Sequence, residues 1–166
     1  MKTYRKILIP SIATCPAAAQ LARGAEVAAA GDSAVRVVQF IDSRTGFEAD
    51  GPAGTLPLEK AARRVPAARR RLELTLARSP LGWAKSSVIH GEPDRLLANV
   101  LRAWQPDLVI VTSGWGRSRW VEQAAREARI AVPDILSVEG DGVLTRLLRT
   151  ILRHAAADVD PLVSSR

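Results

Sequence analysis

Cysteine is almost missing. Cys15 stands alone among 166 residues, so no internal disulfide can form, and no Cys or Cys/His set has the spacing of a structural zinc site. Aromatic residues are scarce at 4%, and lysine is nearly displaced by arginine, with four lysines among 24 basic residues. No stretch approaches the ~20 apolar residues of a membrane span, and Met1 to Pro10 holds too short an apolar run for a secretory signal. These absences point to a soluble, cytoplasmic protein held together by packing alone. What is present agrees: with 47% hydrophobic and 25% charged residues, the chain suits one compact domain with a buried core and is unlike a disordered chain.

The net charge of +7 is unevenly placed. Leu58 to Arg78 carries seven bases (Lys60, Arg63, Arg64, Arg69, Arg70, Arg71, Arg78) against Glu59 and Glu73, a net +5. Such a lopsided field attracts polyanions. The plainer reading is a solvated helix face in an arginine-heavy chain.

Hydrophobic patterning predicts alternating strands and helices. Lys6 to Pro10 (KILIP) is an apolar run suited to a buried strand, and Ala17 to Ala30 has apolar positions at helical spacing. Thr14 or Cys15 is the expected cap of that helix, with Pro16 in its first turn and Gly31-Asp32 ending it. Val35 to Ile41 is β-branched and nearly continuous, as a parallel strand covered on both faces would be. Asp42 to Pro57 has no periodicity and reads as an exposed loop. Leu58 to Arg78 is helical again, with Pro66 predicting a kink or two shorter helices. Trp83 to His90 is the third strand, Glu92 to Trp104 a helix with Pro93 and Asp94 in its first turn, and Leu108 to Thr112 the clearest buried strand. A helix to about Arg129 and a fifth strand, Pro133 to Val138, follow. Trp83 and Trp104 fall on elements and are expected in the core, while Trp115 and Trp120 flank the loop after the fourth strand. The pattern predicts a doubly wound, five-stranded, mainly parallel α/β sheet of Rossmann-like type over residues 1–139. Residues 140–166 form a separate region. There Leu144, Leu147, Leu148, Ile151 and Leu152 mark an amphipathic helix, and Asp158 to Arg166 a frayed tail.

Ligands of an open parallel sheet bind beyond the carboxyl ends of the strands, where strand order reverses. The loops to search are therefore Ser11 to Cys15 and Ser113 to Ser118. The second offers two glycines, two hydroxyls and the Arg117 guanidinium ahead of a helix, an arrangement suited to an anion such as phosphate.

At these positions the chain resembles the universal stress protein family. Lys6 to Pro10 is similar to the family's opening Lys-Ile-Leu-x-Pro, and Gln39-Phe40-Ile41-Asp42 to the end of its second strand. His90-Gly91-Glu92-Pro93 and Pro106 to Val111 resemble its Gly-x-Pro helix start and its fourth strand. Ser113-Gly114-Trp115-Gly116-Arg117-Ser118 sits where the family has Gly-Ser-His-Gly-Arg-Ser. The resemblance covers most of residues 4 to 138 and implies the sheet above. It also implies a nucleotide cleft at Pro10, Ser11, Phe40, Ser113, Gly114, Gly116, Arg117 and Ser118, with ATP or AMP as its ligand, and a homodimer through the fifth strand, to which the C-terminal helix adds.

The departures point the other way on nucleotide. ATP-binding members carry Gly-x2-Gly-x9-Gly-Ser/Thr, and here those places read Ser113, Gly116, Arg126 and Glu127. Ile12 replaces an acidic residue in the first loop, and bulky Phe40 a small one beside the adenine. The expectation is a non-enzymatic regulatory dimer that binds ATP weakly or not at all, although slow ATPase activity stays open. An atypical nucleotide-binding switch is the alternative, and a polyanion binder acting through Leu58–Arg78 ranks third, since no reading helix, RNA-binding signature or aromatic ladder accompanies the charge. His90 and Cys15 are expected to be structural, and no metal is expected.

Overall fold

The computed structural model describes residues 2–43, 57–113 and 117–139, with the backbone alone for 57–62. Gly114, Trp115, Gly116, most of the loop expected over 42–57 and the amphipathic segment from Leu144 onward lie outside the described residues. Five strands and four helices alternate: β1 (Lys6–Ile12), α1 (Ala18–Ala29), β2 (Ala34–Asp42), α2 (Pro57–Ala77), β3 (Lys85–Gly91), α3 (Pro93–Trp104), β4 (Leu108–Thr112), α4 (Arg117–Ala128) and β5 (Asp134–Val138). The sheet order is β3-β2-β1-β4-β5, and every pairing is parallel.

That order follows from right-handed crossovers. Moving outward from β1 through β2 to β3 puts α1 and α2 on one face, and crossing back through β4 to β5 puts α3 and α4 on the other. Side chains along a strand alternate between the two. Ile7, Ile9, Val35, Val37 and Ile110 pack with Leu21, Leu72 and Leu76 of the first helices. Leu8, Val38, Phe40, Val109 and Val111 pack with Leu97, Leu101 and Val121 of the second pair. Apolar residues on both faces of β1 and β4 explain why these strands read as unbroken apolar runs.

Three expectations are corrected. α1 is capped by Ala17, not by Thr14 or Cys15: the Ala17 N–H donates to Gln20 Oε1 at 3.0 Å. Residues 13 and 14 are instead used to turn the chain out of β1. Ala13 has φ +63° and donates its N–H to Phe40 O, and the Thr14 N–H donates to Ile12 O. α2 runs as one helix through Pro66; the proline lies on the solvent side, where water can satisfy the carbonyl it leaves unbonded. Trp83 precedes β3 and is 60% exposed, and Leu81, wholly buried, fills the core in its place. The Ser79 hydroxyl, accepting the Leu81 N–H at 3.1 Å, fixes that turn.

The carboxyl-terminal half is tied to β1 through aspartates at the amino ends of the strands. Asp107 Oδ2 accepts the N–H groups of Arg5 and Lys6 at 2.8 and 2.9 Å. Asp134 pairs with the Lys2 ammonium and accepts from the Tyr4 hydroxyl at 2.9 Å. The Lys2 hydrogen bond, then that of Tyr4, holds the Asp134 carboxyl below its ordinary 3.8, while donation to Asp134 pushes Tyr4 and Lys2 up from 10.0 and 10.5. A depressed carboxylate contributes stability above its unfolded value and loses it as pH falls; raised Tyr and Lys contributions vanish as pH rises through the folded values. Asp134→Asn is therefore expected to lower the urea midpoint at neutral pH by a small amount, because the network is solvent-exposed. The gap to the unsubstituted protein should close below pH 3.8 and above pH 10.5. A gap that stays constant from pH 3 to 11 would show that the network contributes nothing.

Candidate functional site

β1 pairs with β4 only at Ile7↔Leu108 and Leu8↔Val109, although both strands continue. Pro10 has no N–H to extend the ladder. Beyond it the strands part, and the Gln20 side chain bridges them. Its amide donates to Ile110 O at 3.1 Å and lies 3.5 Å from Pro10 O, while its Oε1 serves as the α1 cap. One buried glutamine thus both opens α1 and spans the gap between the diverging strands.

The gap is the mouth of a cleft of about 90 Å³ at the carboxyl ends of β1 and β4, the point where strand order reverses. Pro10, Ser11, Ile12, Thr14, Cys15, Ala17 and Gln20 line it from β1 and α1, Val111 and Thr112 from β4, and Arg117 and Trp120 from α4. Ser11 is 8% exposed, and among the described residues its Oγ has no hydrogen-bond partner; the buried Trp120 Nε1 is likewise unpartnered there. A buried polar group left unbonded costs about 1–3 kcal/mol, so both atoms favour a polar guest. A larger cavity, about 410 Å³, lies at the opposite end of the sheet around Tyr4, Arg23, Glu26 and Asp134. That is the amino end of the strands, away from where open α/β sheets bind ligands.

The residues expected at the cleft are partly brought together. Pro10, Ser11 and Arg117 line it. Phe40 does not: it is wholly buried and meets Trp120 edge to face, with ring centroids 6.0 Å apart at 89°, so it supports the cleft wall from behind. Ser113 is exposed, and its N–H donates to Val138 O across the sheet. The Ser118 hydroxyl sits 3.3 Å from that of Ser137. Neither serine lines the cleft. Gly114 and Gly116 lie outside the described residues. His90 is on β3, opposite Ile41 and separated from β1 by β2. Cys15 is half-buried in the cleft wall.

Arg126 and Glu127 require a different explanation from the one their spacing suggests. α4 begins at Arg117, so the residues between Gly116 and Arg126 are helix. At 1.5 Å per residue, Arg126 lies about 14 Å along the axis from Arg117. It pairs loosely with Glu122 at 3.9 Å, and the Glu127 carbonyl accepts from Arg102 at 3.3 Å. The two side chains therefore belong to the last turn of α4, and Glu127 does not confront a phosphate at the cleft. The helix itself has taken the place of the second half of the grip.

Trp120, which flanks the loop in the sequence, lines the cleft, and Thr14, Gln20 and Thr112 complete the lining without having been singled out as ligand contacts. Gln20 carries a readable signal, a lone amide on the inward stripe of an alanine-rich helix. Thr112 and Thr14 carry none. Trp104 is half-buried beneath the Arg36 guanidinium, 5.1 Å from its ring. Among the described residues no cluster of His, Cys, Asp or Glu could hold a metal ion, and no helix is long and apolar enough to cross a membrane.

Known proteins share this fold. The family model described as the universal stress protein family matches residues 3–126. No curated protein matches the chain. Among solved structures, the hypothetical protein MJ0577, studied for structure-based assignment of biochemical function, is 16% identical with a TM-score of 0.57, covering 85% of this chain and 99% of its own. Universal stress protein UspA from Lactobacillus plantarum is 18% identical with a TM-score of 0.50, over 84% of this chain and all of its own. A universal stress protein family member from Burkholderia pseudomallei is 19% identical with a TM-score of 0.50, over 80% and 96%. At these identities the likeness is one of fold.

Proposed function

We propose that this chain, which belongs to the universal stress protein family, is a non-enzymatic regulatory protein that works as a homodimer and holds ATP weakly or not at all. The observation that carries the reading is the start of α4 at Arg117. A triphosphate grip of the Gly-x2-Gly-x9-Gly-Ser/Thr kind needs loop between its glycines, where backbone N–H groups can turn toward phosphate. Here residues 117–128 are helix, so of those groups only the N–H groups of its first turn stay free of intrahelical bonds. The cleft of about 90 Å³, well under the ~300–1,000 Å³ of usual ligand pockets, and the apolar Ile12 in its wall support the same reading. His90, two strands away, leaves the cleft hydroxyls without a general base from that side chain. For the dimer, support comes from β5, which among the described residues is an edge strand with no partner on its outer side and thus suited to pairing with a second copy.

Isothermal titration with ATP and magnesium tests the nucleotide claim. The expected result is no saturable heat and no thermal shift at millimolar ATP, whereas a ligand at 100 times its dissociation constant would stabilise the fold by ~2.7 kcal/mol. Saturation at micromolar ATP would overturn the reading. Sedimentation of the full chain tests the dimer.

A second reading is favoured by the unpartnered Ser11 Oγ beside Thr14, Thr112 and Arg117: an atypical nucleotide switch that seats one phosphate group, as of AMP. It requires a saturable AMP heat that Arg117→Gln abolishes.

A further inference from the structure

We infer that the outward face of α2 is a sequence-independent binding site for the phosphate backbone of duplex nucleic acid. The argument starts from where the helix places its arginines. Leu72 and Leu76, 1% and 3% exposed, are buried against the sheet, with Val65 and Ala68 packed beside them. At about 100° per residue, Arg63, Arg64, Arg70 and Arg71 fall on an arc of about 120° that faces away from the sheet, Arg78 follows directly after the last helical residue, Ala77, and all five are exposed. Arg64 and Arg71 lie one seven-residue step of about 10.5 Å apart, and Arg63 and Arg70 repeat that step in a second row about 100° around the helix. The face extends about 22 Å from Arg63 to Arg78. The acid within that stretch, Glu73, projects about 60° outside the arc. The helix continues through Pro66, so arginines on either side of the proline belong to one helix.

Arginine is the residue suited to phosphate, since its planar fork donates two parallel hydrogen bonds to a pair of oxygens. Five arginines along one helix and its end match a polymer that carries one charge per ~1.7 Å of its axis. A lipid bilayer is a poorer fit. The apolar stripe of α2 is already committed to the core, and among residues 63–78 only Leu74, 52% exposed, is a large apolar side chain pointing outward, with no aromatic anchor beside it. The remaining arc residues, Ala67 and the exposed Leu74, carry no hydrogen-bonding group to read a base edge, and no asparagine or glutamine is present among residues 63–78 to pair with adenine. Contacts to phosphate position a protein without specifying a sequence. The lack of a reading helix or aromatic ladder is therefore no obstacle.

The test is fluorescence anisotropy of two labelled 20-base-pair DNA duplexes of unrelated sequence with the full chain, from 50 to 200 mM salt. Five phosphate contacts predict a slope of log K against log salt of about −4.5, equal for both duplexes. The variant Arg64→Gln/Arg71→Gln/Arg78→Gln should reduce that slope by about 3. The charge-matched variant Arg5→Gln/Arg95→Gln/Arg119→Gln, also at exposed positions, should keep it. Urea midpoints of both variants check that the fold is retained. Equal loss in the two variants, no binding at 50 mM salt, or capture by phosphatidylserine vesicles but not by either duplex would each overturn the inference.

Discussion

Phe40→Ala is expected to cost about 3–5 kcal/mol, the usual loss for emptying a buried phenylalanine site. Phe40 is wholly buried. It sits between α3 and the sheet with Leu97, Leu101 and Val111 around it, and its ring meets Trp120 edge to face. Truncation removes apolar area and also the surface against which Trp120 rests. The cleft wall should then relax, so the tryptophan emission of the folded protein should shift along with the unfolding midpoint. Urea denaturation followed by far-ultraviolet circular dichroism measures the first effect and fluorescence the second. A loss under 1 kcal/mol would mean that neighbouring side chains close the void and that Phe40 does not brace the cleft.

Gly24→Leu should be nearly as damaging, at about 3 kcal/mol, for the opposite reason. α1 approaches the sheet so closely that a Cβ at position 24 would lie 2.7 Å from Ile9 Cδ1 and 3.1 Å from Leu81 Cδ1. Overpacking of this kind usually costs about 1–3 kcal/mol, and a leucine must push α1 off β1. Gly24→Ala separates helix propensity from crowding. Its one methyl meets the movable ends of Ile9 and Leu81, and alanine regains up to about 1 kcal/mol in a helix interior, so the net change should stay within about 1 kcal/mol. Thermal midpoints of the two variants decide the matter. A Leu variant as stable as the Ala variant would show that α1 moves freely. Because Gln20 lies one turn earlier on the same helix, displacement of α1 should also widen the cleft.

The fold was legible because β1, β2 and β4 are apolar on both faces while the helices between them keep a 3.6-residue period. Failures of reading occurred where tertiary context outweighed local signals. Thr14 is a better cap than Ala17 by propensity, yet the chain needs residues 13 and 14 to leave the sheet, and Gln20 supplies the cap from inside. Trp83 looked like a core residue by size, but the turn at Ser79 presents Leu81 inward. Pro66 was expected to kink α2 or split it in two; its solvent-side position lets a single helix run through it. At the cleft, the loops were found by the switch-point rule, whereas counting along the motif misplaced Arg126 and Glu127. Residue spacing carries a loop motif only while the chain remains a loop, and α4 begins too early for that. Gln20 was overlooked because its role depends on two strands separating, which no local pattern records.

The strand order has a consequence for synthesis. β1 is central in the sheet, yet its second neighbour, β4, is roughly a hundred residues later in the chain. At 5–20 residues per second on a ribosome, the newborn amino-terminal half waits several seconds with one flank of β1 unoccupied. Long-range parallel pairing is intrinsically slow, and until β4 arrives the backbone N–H and C=O groups along that edge of β1 are left without their strand partner.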